Sequence, residues 1–557
     1  MPRAWFWFAT SLTLLAAVEA RAATRLQHHV DIRIRPDGTV SERTRLVVRL
    51  DANRDLTDWG KFSVYLDEHR SLLELEASVV KPGGEQLVMK RKDQDTMELS
   101  SSGSLHDSAH YRVVNFRELT PGAKLIIDYE LEIAPYYPAD VVGLAFGETV
   151  QDLRVHIEGG GVGWRWRFDG PADEFDVVEF AGGVTVTASE LPASRALGWA
   201  PSGSGSNTIL RFAWGEDASW SGVGSWYSDL LRDVPRDAAS VRQLSGELTA
   251  GLEEPRQRLE SLLSFVRKKV RYVAVEIGIG GFRPTAPVDV LARRWGDCKD
   301  KSLLLIDLLK AAGIEAHPAL IYSGSNARID EQFPSLQFNH LIVAVPAEAV
   351  SHSSDEPVSG GFLFVDPTQD RGSARWLQPA DQDQHALVVH EGRGSLVHTA
   401  IRQQLERRSV RVDVEINASG DAVGKAGLQL SGQIATPWLR QIESEPVERT
   451  AEGALAVFST LLPGVAVDKV GWSSDETSVP TVDMAVDLTY RNMLRSGARS
   501  FKVPSLRSTP EPRVIVQRQL PIVVPPQVTE TTWRVRLPEG VCLPAEQRHE
   551  VDNSVGT

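Results

Sequence analysis

Apolar and polar residues alternate along much of the first two hundred positions. Val30-Asp31-Ile32-Arg33-Ile34-Arg35 sends its apolar side chains to one side and its charged ones to the other, as a half-buried strand does. Pro36-Asp37-Gly38 supplies a turn, and Arg45-Leu46-Val47-Val48-Arg49-Leu50 returns as a second strand. Further short strands follow, among them Ala123 to Tyr129, with loops at Gly159-Gly160-Gly161 and at 202–206. Residues 23–215 are therefore expected to form an antiparallel β-sandwich. From residue 216 the period lengthens. Arg258 to Arg267 has helical spacing, and a second helix is expected from Cys298 to Ala312, stopped by Gly313 at the position after its C-cap. Strands are expected at Ala316 to Tyr322, His340 to Val345 and Phe362 to Val365, which makes residues 216–395 an α+β region. Residues 396–557 return to alternation. Val412-Asp413-Val414-Glu415-Ile416 with Gly420 repeats the pattern of Val30 to Ile34 with Gly38. Two readings of that echo stand: a duplicated sandwich, or the generic likeness of any two hairpins. The fold class expected is α+β multidomain, with a β-sandwich, an α+β core and a second β-rich domain.

The first residues follow a different rule. Arg3 precedes a run of apolar residues from Ala4 to Val18, and Ala20-Arg21-Ala22 has the small-x-small form of a cleavage site. The run is shorter than the roughly 20 residues that span a bilayer. Residues 1–22 are therefore expected to be a signal peptide, the alternative being an uncleaved N-terminal anchor. The expected mature chain is exported, periplasmic, and without a transmembrane segment. A formal net charge of −14 in 557 residues argues against a nucleic-acid partner, because an acidic surface repels phosphate. Two cysteines cannot build a multi-cysteine zinc framework, and Cys298 and Cys542 fall in regions assigned to different domains.

The strongest chemical signal is Arg294-Trp295-Gly296-Asp297-Cys298-Lys299-Asp300-Lys301. Asp297 is a good N-cap, and Asp300 three residues later completes the pattern of a capping box. Cys298 then sits in the first turn of a helix whose free N–H groups and dipole favour a thiolate. The same amides suit an oxyanion on a carbon under attack. Lys299 and Lys301 add positive potential, which Asp297 and Asp300 oppose. A nucleophilic cysteine needs a base, and the base an orienting group. His340 opens one expected strand, and Asp366 closes another. If these strands pair antiparallel, the start of the first meets the end of the second. His340 would then take the thiol proton, and Asp366 would fix the imidazole. Each residue also has a plain structural role available: Cys298 as a core thiol, His340 as a strand-end histidine, Asp366 before Pro367 as turn chemistry.

These residues carry a resemblance. Tyr272-Val273-Ala274-Val275-Glu276, Trp295 to Lys301, Leu308 to Ala316, Phe338-Asn339-His340 and Val365-Asp366-Pro367-Thr368 are similar to the transglutaminase-like superfamily. The chain resembles the bacterial branch in which a β-rich domain of unknown function, here over roughly 40–235, precedes the core, here about 236–370. The resemblance implies a papain/transglutaminase-like cysteine core with Cys298 as nucleophile, His340 as base and Asp366 as orienting acid. It also implies a further oxyanion donor upstream, which no residue of the sequence identifies; Trp295 is near in sequence but also suits packing. The superfamily holds cross-linkers, proteases, amidases and silent members. Relatives continue with more strands after a segment like Trp533 to Gly540. The polar stretch from Cys542 to Thr557 is therefore expected to be a tail or a truncated end.

The domain plan is a signal peptide at 1–22, a β-sandwich at 23–215, a transglutaminase-like core at 216–395, and a β-rich domain at 396–557. Two functions compete. One is an enzyme that acts on amide or peptide bonds through a Cys298 thioester, with hydrolysis favoured over cross-linking because water needs no second binding site. Its partner would be a protein or peptide substrate. The other is a non-catalytic cell-envelope binding or scaffold protein, which a closed site around Cys298 would favour. No metal and no organic cofactor is expected: Gly278-Ile279-Gly280-Gly281 lacks a strand–helix phosphate context, and no calcium ligand run is present. Oligomeric state is not fixed by the sequence.

Overall fold

The computed structural model describes residues 23–98, 109–159, 161, 163–171, 173–193, 208–215, 218–236, 238–274, 278–324, 329–350, 356–401, 406–475, 478–494 and 528–538. The expected leader at 1–22, the loop at 202–206, and Cys542 with the polar stretch after it lie outside these residues. Two compact units hold the described residues. One draws on Met1–Pro135, Gly143–Gly161 and Asp169–Arg195, the other on Tyr136–Val142, Val162–Phe168 and Ala196–Thr557. Among the described residues, no helix is long and apolar enough to cross a membrane.

The first unit is built on an eight-stranded sheet with a three-stranded sheet of Lys61–Leu66, His110–Asn115 and Gln94–Glu98. The alternation read from the sequence becomes the hairpin Thr24–Ile34 with Val40–Arg49, in which Ile34 faces Val40. Val30, Ile32 and Ile34 are buried while their charged neighbours are not, as a two-residue period requires. Gly38 takes a φ of 85° in the turn, where a side chain would be strained. One pairing departs from the antiparallel expectation: Thr24–Ile34 lies parallel to Thr149–Glu158. A parallel neighbour needs a long crossover, and local alternation carries no trace of it.

The second unit contains two layered regions. The first has a six-stranded antiparallel sheet in the order Val358–Ser359, Phe362–Val365, His340–Pro346, His317–Ile321, His385–His390, Arg393–His398. Its strands read as almost continuous apolar runs because helices or loops cover both faces. The helices Ala239–Thr249, Pro255–Lys269, Pro287–Arg293 and Cys298–Ala311 pack Leu259, Leu263, Leu304, Leu308 and their neighbours against Val343, Val345, Leu363 and Val365. The Cys298 helix is apolar nearly all round: Leu303 to Leu309 are all buried, as a helix enclosed on every side must be.

The second region is a five-stranded sheet in the order Ala466–Asp475, Thr481–Tyr490, Ala422–Ser431, Arg407–Ile416, Val528–Arg536. It is β-rich as expected, with two helices that the alternation hid. Thr436–Ser444 and Val447–Leu461 pack Leu439, Ala454, Phe458 and Leu461 onto Val412, Leu428 and Val486. Their signals were Pro437 in the first turn of one helix, and Thr450, Ala454, Phe458 and Leu461 at spacings of three and four in the other.

The echo between the flanks extends to topology. In the first unit five neighbours run Thr149–Glu158, Thr24–Ile34, Val40–Arg49, Lys124–Ile133, Arg70–Val80, with one parallel and three antiparallel pairings. In the C-terminal sheet the strands occupy the same sequence ranks with the same pairing senses. Gly420, at φ 86°, takes the place of Gly38. A shared crossover and shared order are more than two generic hairpins share, which favours duplication.

Candidate active site

The site starts at the helix N-terminus. Asp297 caps the Cys298 helix by accepting from the Asp300 N–H at 3.2 Å. Only half of the expected capping box forms. The Asp300 carboxylate instead accepts from the Thr285 N–H at 2.7 Å and from Arg293 Nη2 at 2.5 Å. Gly296 explains the motif's glycine: a Cβ there would lie 2.6 Å from Asp300 Cβ. The lysines are not free to tune the thiol. Lys299 is paired with Asp297, and Lys301 Nζ donates to the Val270 carbonyl at 2.8 Å. Burial pushes the Lys301 pKa down to about 8. Trp295 stacks under Arg293, whose guanidinium carbon is 3.9 Å from the ring centroid.

Cys298 itself is 8% exposed. It lies in an apolar cluster with Tyr227, Leu303, Leu320 and Leu341, against which Phe338 packs. The Tyr227 hydroxyl is fully buried and has no hydrogen-bond partner among the described residues. Burial, followed by the Cys298 charge, pushes the phenol pKa up, so it stays a proton donor.

The antiparallel pairing supplies the other two residues. Val343 faces Val365, a register that sets Asp366 opposite Ile342, diagonally next to His340. His340 Nε2 lies 3.2 Å from Asp366 Oδ2. Burial opposes a charge on His340, but the Asp366 carboxylate, the hydrogen bond to it and the neighbouring Cys298 side chain outweigh it. The pKa stands well above the ordinary imidazole value. Burial pushes Asp366 up as well, yet His340 and Thr368 hold it down to about 2. Thr368 donates from both its N–H and its hydroxyl, each at 2.7 Å. Asp366 therefore serves the turn and the imidazole at once.

Three further residues complete the surroundings, and none was signalled by the sequence. Gln378 Nε2 donates at 2.9 Å to Asp366 Oδ2 and at 2.9 Å to Asp381 Oδ2. Asp381 is fully buried, with acceptor atoms of His340, Asp366 and Asp381 all within 4.8 Å. Burial and then the Asp366 charge push its pKa up to about 7. Arg267, also buried, donates to the Asp366 carbonyl at 2.8 and 3.0 Å, to the Gly372 carbonyl at 2.7 Å and to Gln369 Oε1 at 2.9 Å. Asp381 lies fifteen residues past Asp366 in a 3₁₀ turn, and Arg267 lies in a basic helix end where it looks like a surface charge.

The Asp381 shift has a measurable consequence. An acid whose pKa is raised on folding takes up a proton when the chain folds, so stability falls as pH rises from about 4 to 7. Asp381→Asn removes that proton uptake. Its stability relative to the parent should grow across this range by on the order of 1 kcal/mol per pH unit. Urea unfolding at several pH values checks this; a constant difference would show that Asp381 does not titrate there.

Comparison with known proteins follows the same division. Residues 36–176 match the model of a domain of unknown function, DUF3857. Residues 242–356, which include Cys298 and His340 and stop short of Asp366, match that of the transglutaminase-like superfamily. No curated protein matches the chain. Among solved structures, a "putative protease" from Parabacteroides distasonis ATCC 8503 superposes with a TM-score of 0.56 at 14% identity. The match covers 84% of this chain and 93% of that one, a likeness of fold. A "putative cysteine protease" from Cytophaga hutchinsonii matches over 59% of this chain and 76% of its own at 11% identity, with a TM-score of 0.18 that says nothing of the fold. The chain carries a DUF3857 domain followed by a core of the transglutaminase-like superfamily.

Proposed function

We propose that the chain is an exported, periplasmic cysteine enzyme that cleaves amide or peptide bonds through a thioester on Cys298. The observation that supports this reading best is the single imidazole of His340, hydrogen-bonded to the buried Asp366 carboxylate and beside the Cys298 side chain, which helps to raise its pKa. In this reading His340 takes the thiol proton and the sulfur attacks the carbonyl carbon. The oxyanion collapses, the C–N bond breaks, and the amine leaves with the proton from His340. Water then loses a proton to His340 and attacks the thioester, which releases the acid and restores the thiol. Helix amides serve the oxyanion, and the Tyr227 hydroxyl is the further donor we assign to it. Tyr227→Phe should lower kcat about tenfold or more with little change in KM; an unchanged kcat would remove Tyr227 from the site.

Hydrolysis is favoured over cross-linking because it needs no second acyl acceptor site. Incubating the full chain with a peptide mixture and a primary amine in ¹⁸O-labelled water separates the outcomes. Label in new carboxyl groups that is absent with Cys298→Ala supports hydrolysis. Amine adducts without label would point to transamidation, and no product from either chain would contradict catalysis.

A second reading, a cell-envelope binding or scaffold protein, is favoured by one observation: Cys298 is nearly enclosed. Complete rescue of a deletion strain by Cys298→Ala would support it.

A further inference from the structure

The far end of the core sheet carries a second cluster of chemically capable side chains. The strands His317–Ile321 and His385–His390 run antiparallel, with Ala319 facing Val388 and Leu320 facing Leu387. Continued outward by two residues, that register sets His317 directly opposite His390. Their rings are 4.3 Å apart between centroids, inclined at 64°. Glu315 precedes His317 by two positions, and its Oε1 lies 3.3 Å from His317 Nε2 and 3.5 Å from His390 Nε2. All three donor atoms fall within 4.8 Å of one another.

Ligands held about 2.0–2.1 Å from one tetrahedral zinc ion stand about 3.3–3.4 Å from each other. The two carboxylate–imidazole separations have the length of edges of such a tetrahedron. A third protein ligand closes one face and leaves the fourth position open. Glu315 and His317 also line a cavity of about 1070 Å³, together with Lys310, Arg232 and Arg236.

We propose that Glu315, His317 and His390 bind a divalent cation of the zinc class, with the fourth position facing this cavity. Two imidazoles and one carboxylate suit zinc and its neighbours in the first transition row, and suit magnesium poorly. The site is distinct from the cysteine site. His317 pairs with Ala344 and Ile321 with His340, so four residues of strand, roughly 13 Å, separate the two along the sheet. The ion would tie together two strands that are far apart in sequence, along with the segment leading out of the Cys298 helix. Its ligands come from a Glu-x-His pair and a histidine more than seventy residues later, a spacing outside compact metal motifs.

The test is titration of the untagged full chain, stripped by chelator, with cobalt(II) alone and then with zinc(II) alone. The result expected is one cobalt per chain, with the intense visible bands of four-coordinate cobalt, displaced by zinc. His390→Ala and Glu315→Gln change partly or wholly exposed residues and should weaken binding more than about 100-fold. His340→Ala and His398→Ala should leave it intact. Absence of saturable cobalt binding would overturn the proposal, as would binding that survives both ligand variants or is lost with His340 or His398. Should His390→Ala misfold, Glu315→Gln alone decides.

Discussion

Replacing His340 with alanine should abolish turnover and slow alkylation of Cys298 at pH 6 by about 10² to 10⁴-fold. The thiol lies in an apolar cluster. In the proposed mechanism the imidazole, held by Asp366 beside the cysteine, takes the thiol proton. Without it, the helix dipole remains but contributes only about 0.3–1 kcal/mol at an ordinary helix end. His340→Ala should fold, since the buried Asp366 carboxylate keeps its bonds from Thr368 and Gln378. Site-resolved mass spectrometry with iodoacetamide gives the rate and separates Cys298 from Cys542. A variant alkylated as fast as the parent would show that the imidazole does not activate the sulfur.

The largest stability effect is expected at Arg267, by loss of about 3–5 kcal/mol on substitution with leucine. The guanidinium is the shared donor for the Asp366 and Gly372 carbonyls and the Gln369 amide oxygen, in a setting where its exposure is only 5%. Leucine fills part of the volume and leaves these acceptors buried without donors. Arg267→Lys keeps the charge but cannot reach three acceptors with one ammonium, so it should fall between. Guanidinium chloride unfolding measures the difference. A loss under about 1 kcal/mol for leucine would mean that water replaces the guanidinium. Burial pushes the Arg267 pKa down only to about 10, so the arginine stays charged at neutral pH. Its position one carbonyl away from the Asp366 side chain makes it a positioning residue as well. Arg267→Lys should therefore also lower the reactivity of Cys298.

The sequence made the centre of this arrangement legible because each part depends on neighbours along the chain. Asp297 before an apolar helical run is enough to place Cys298 in a first turn. A histidine opening one strand and an aspartate closing the next are brought together by antiparallel pairing. Legibility fails where the cause lies across space. Asp300 is spaced for a capping box, yet Arg293 and Thr285 claim its carboxylate. Lys299 and Lys301 suggest positive potential on the thiol, yet each is bound to a structural partner. Asp381 and Gln378 reach the site through loop paths that no periodicity encodes, and Arg267 reaches it from a helix end whose charges look exposed. Alternation found the C-terminal strands and missed the two helices between them, because their apolar faces serve the same core as the strands. The parallel pairings that reveal the shared topology of the two flanks are equally nonlocal.

Activation of Cys298 by the His340–Asp366 pair is the central claim, and the rate of Cys298 alkylation tests it most directly. An imidazole whose folded pKa is raised keeps its proton well above pH 6.5, and it can stabilise the thiolate wherever it is charged. At pH 7 iodoacetamide should therefore alkylate Cys298 in the full chain at least about tenfold faster than in Asp366→Asn, whose imidazole lacks the carboxylate that holds its proton. Equal rates in the two chains would contradict an activated cysteine.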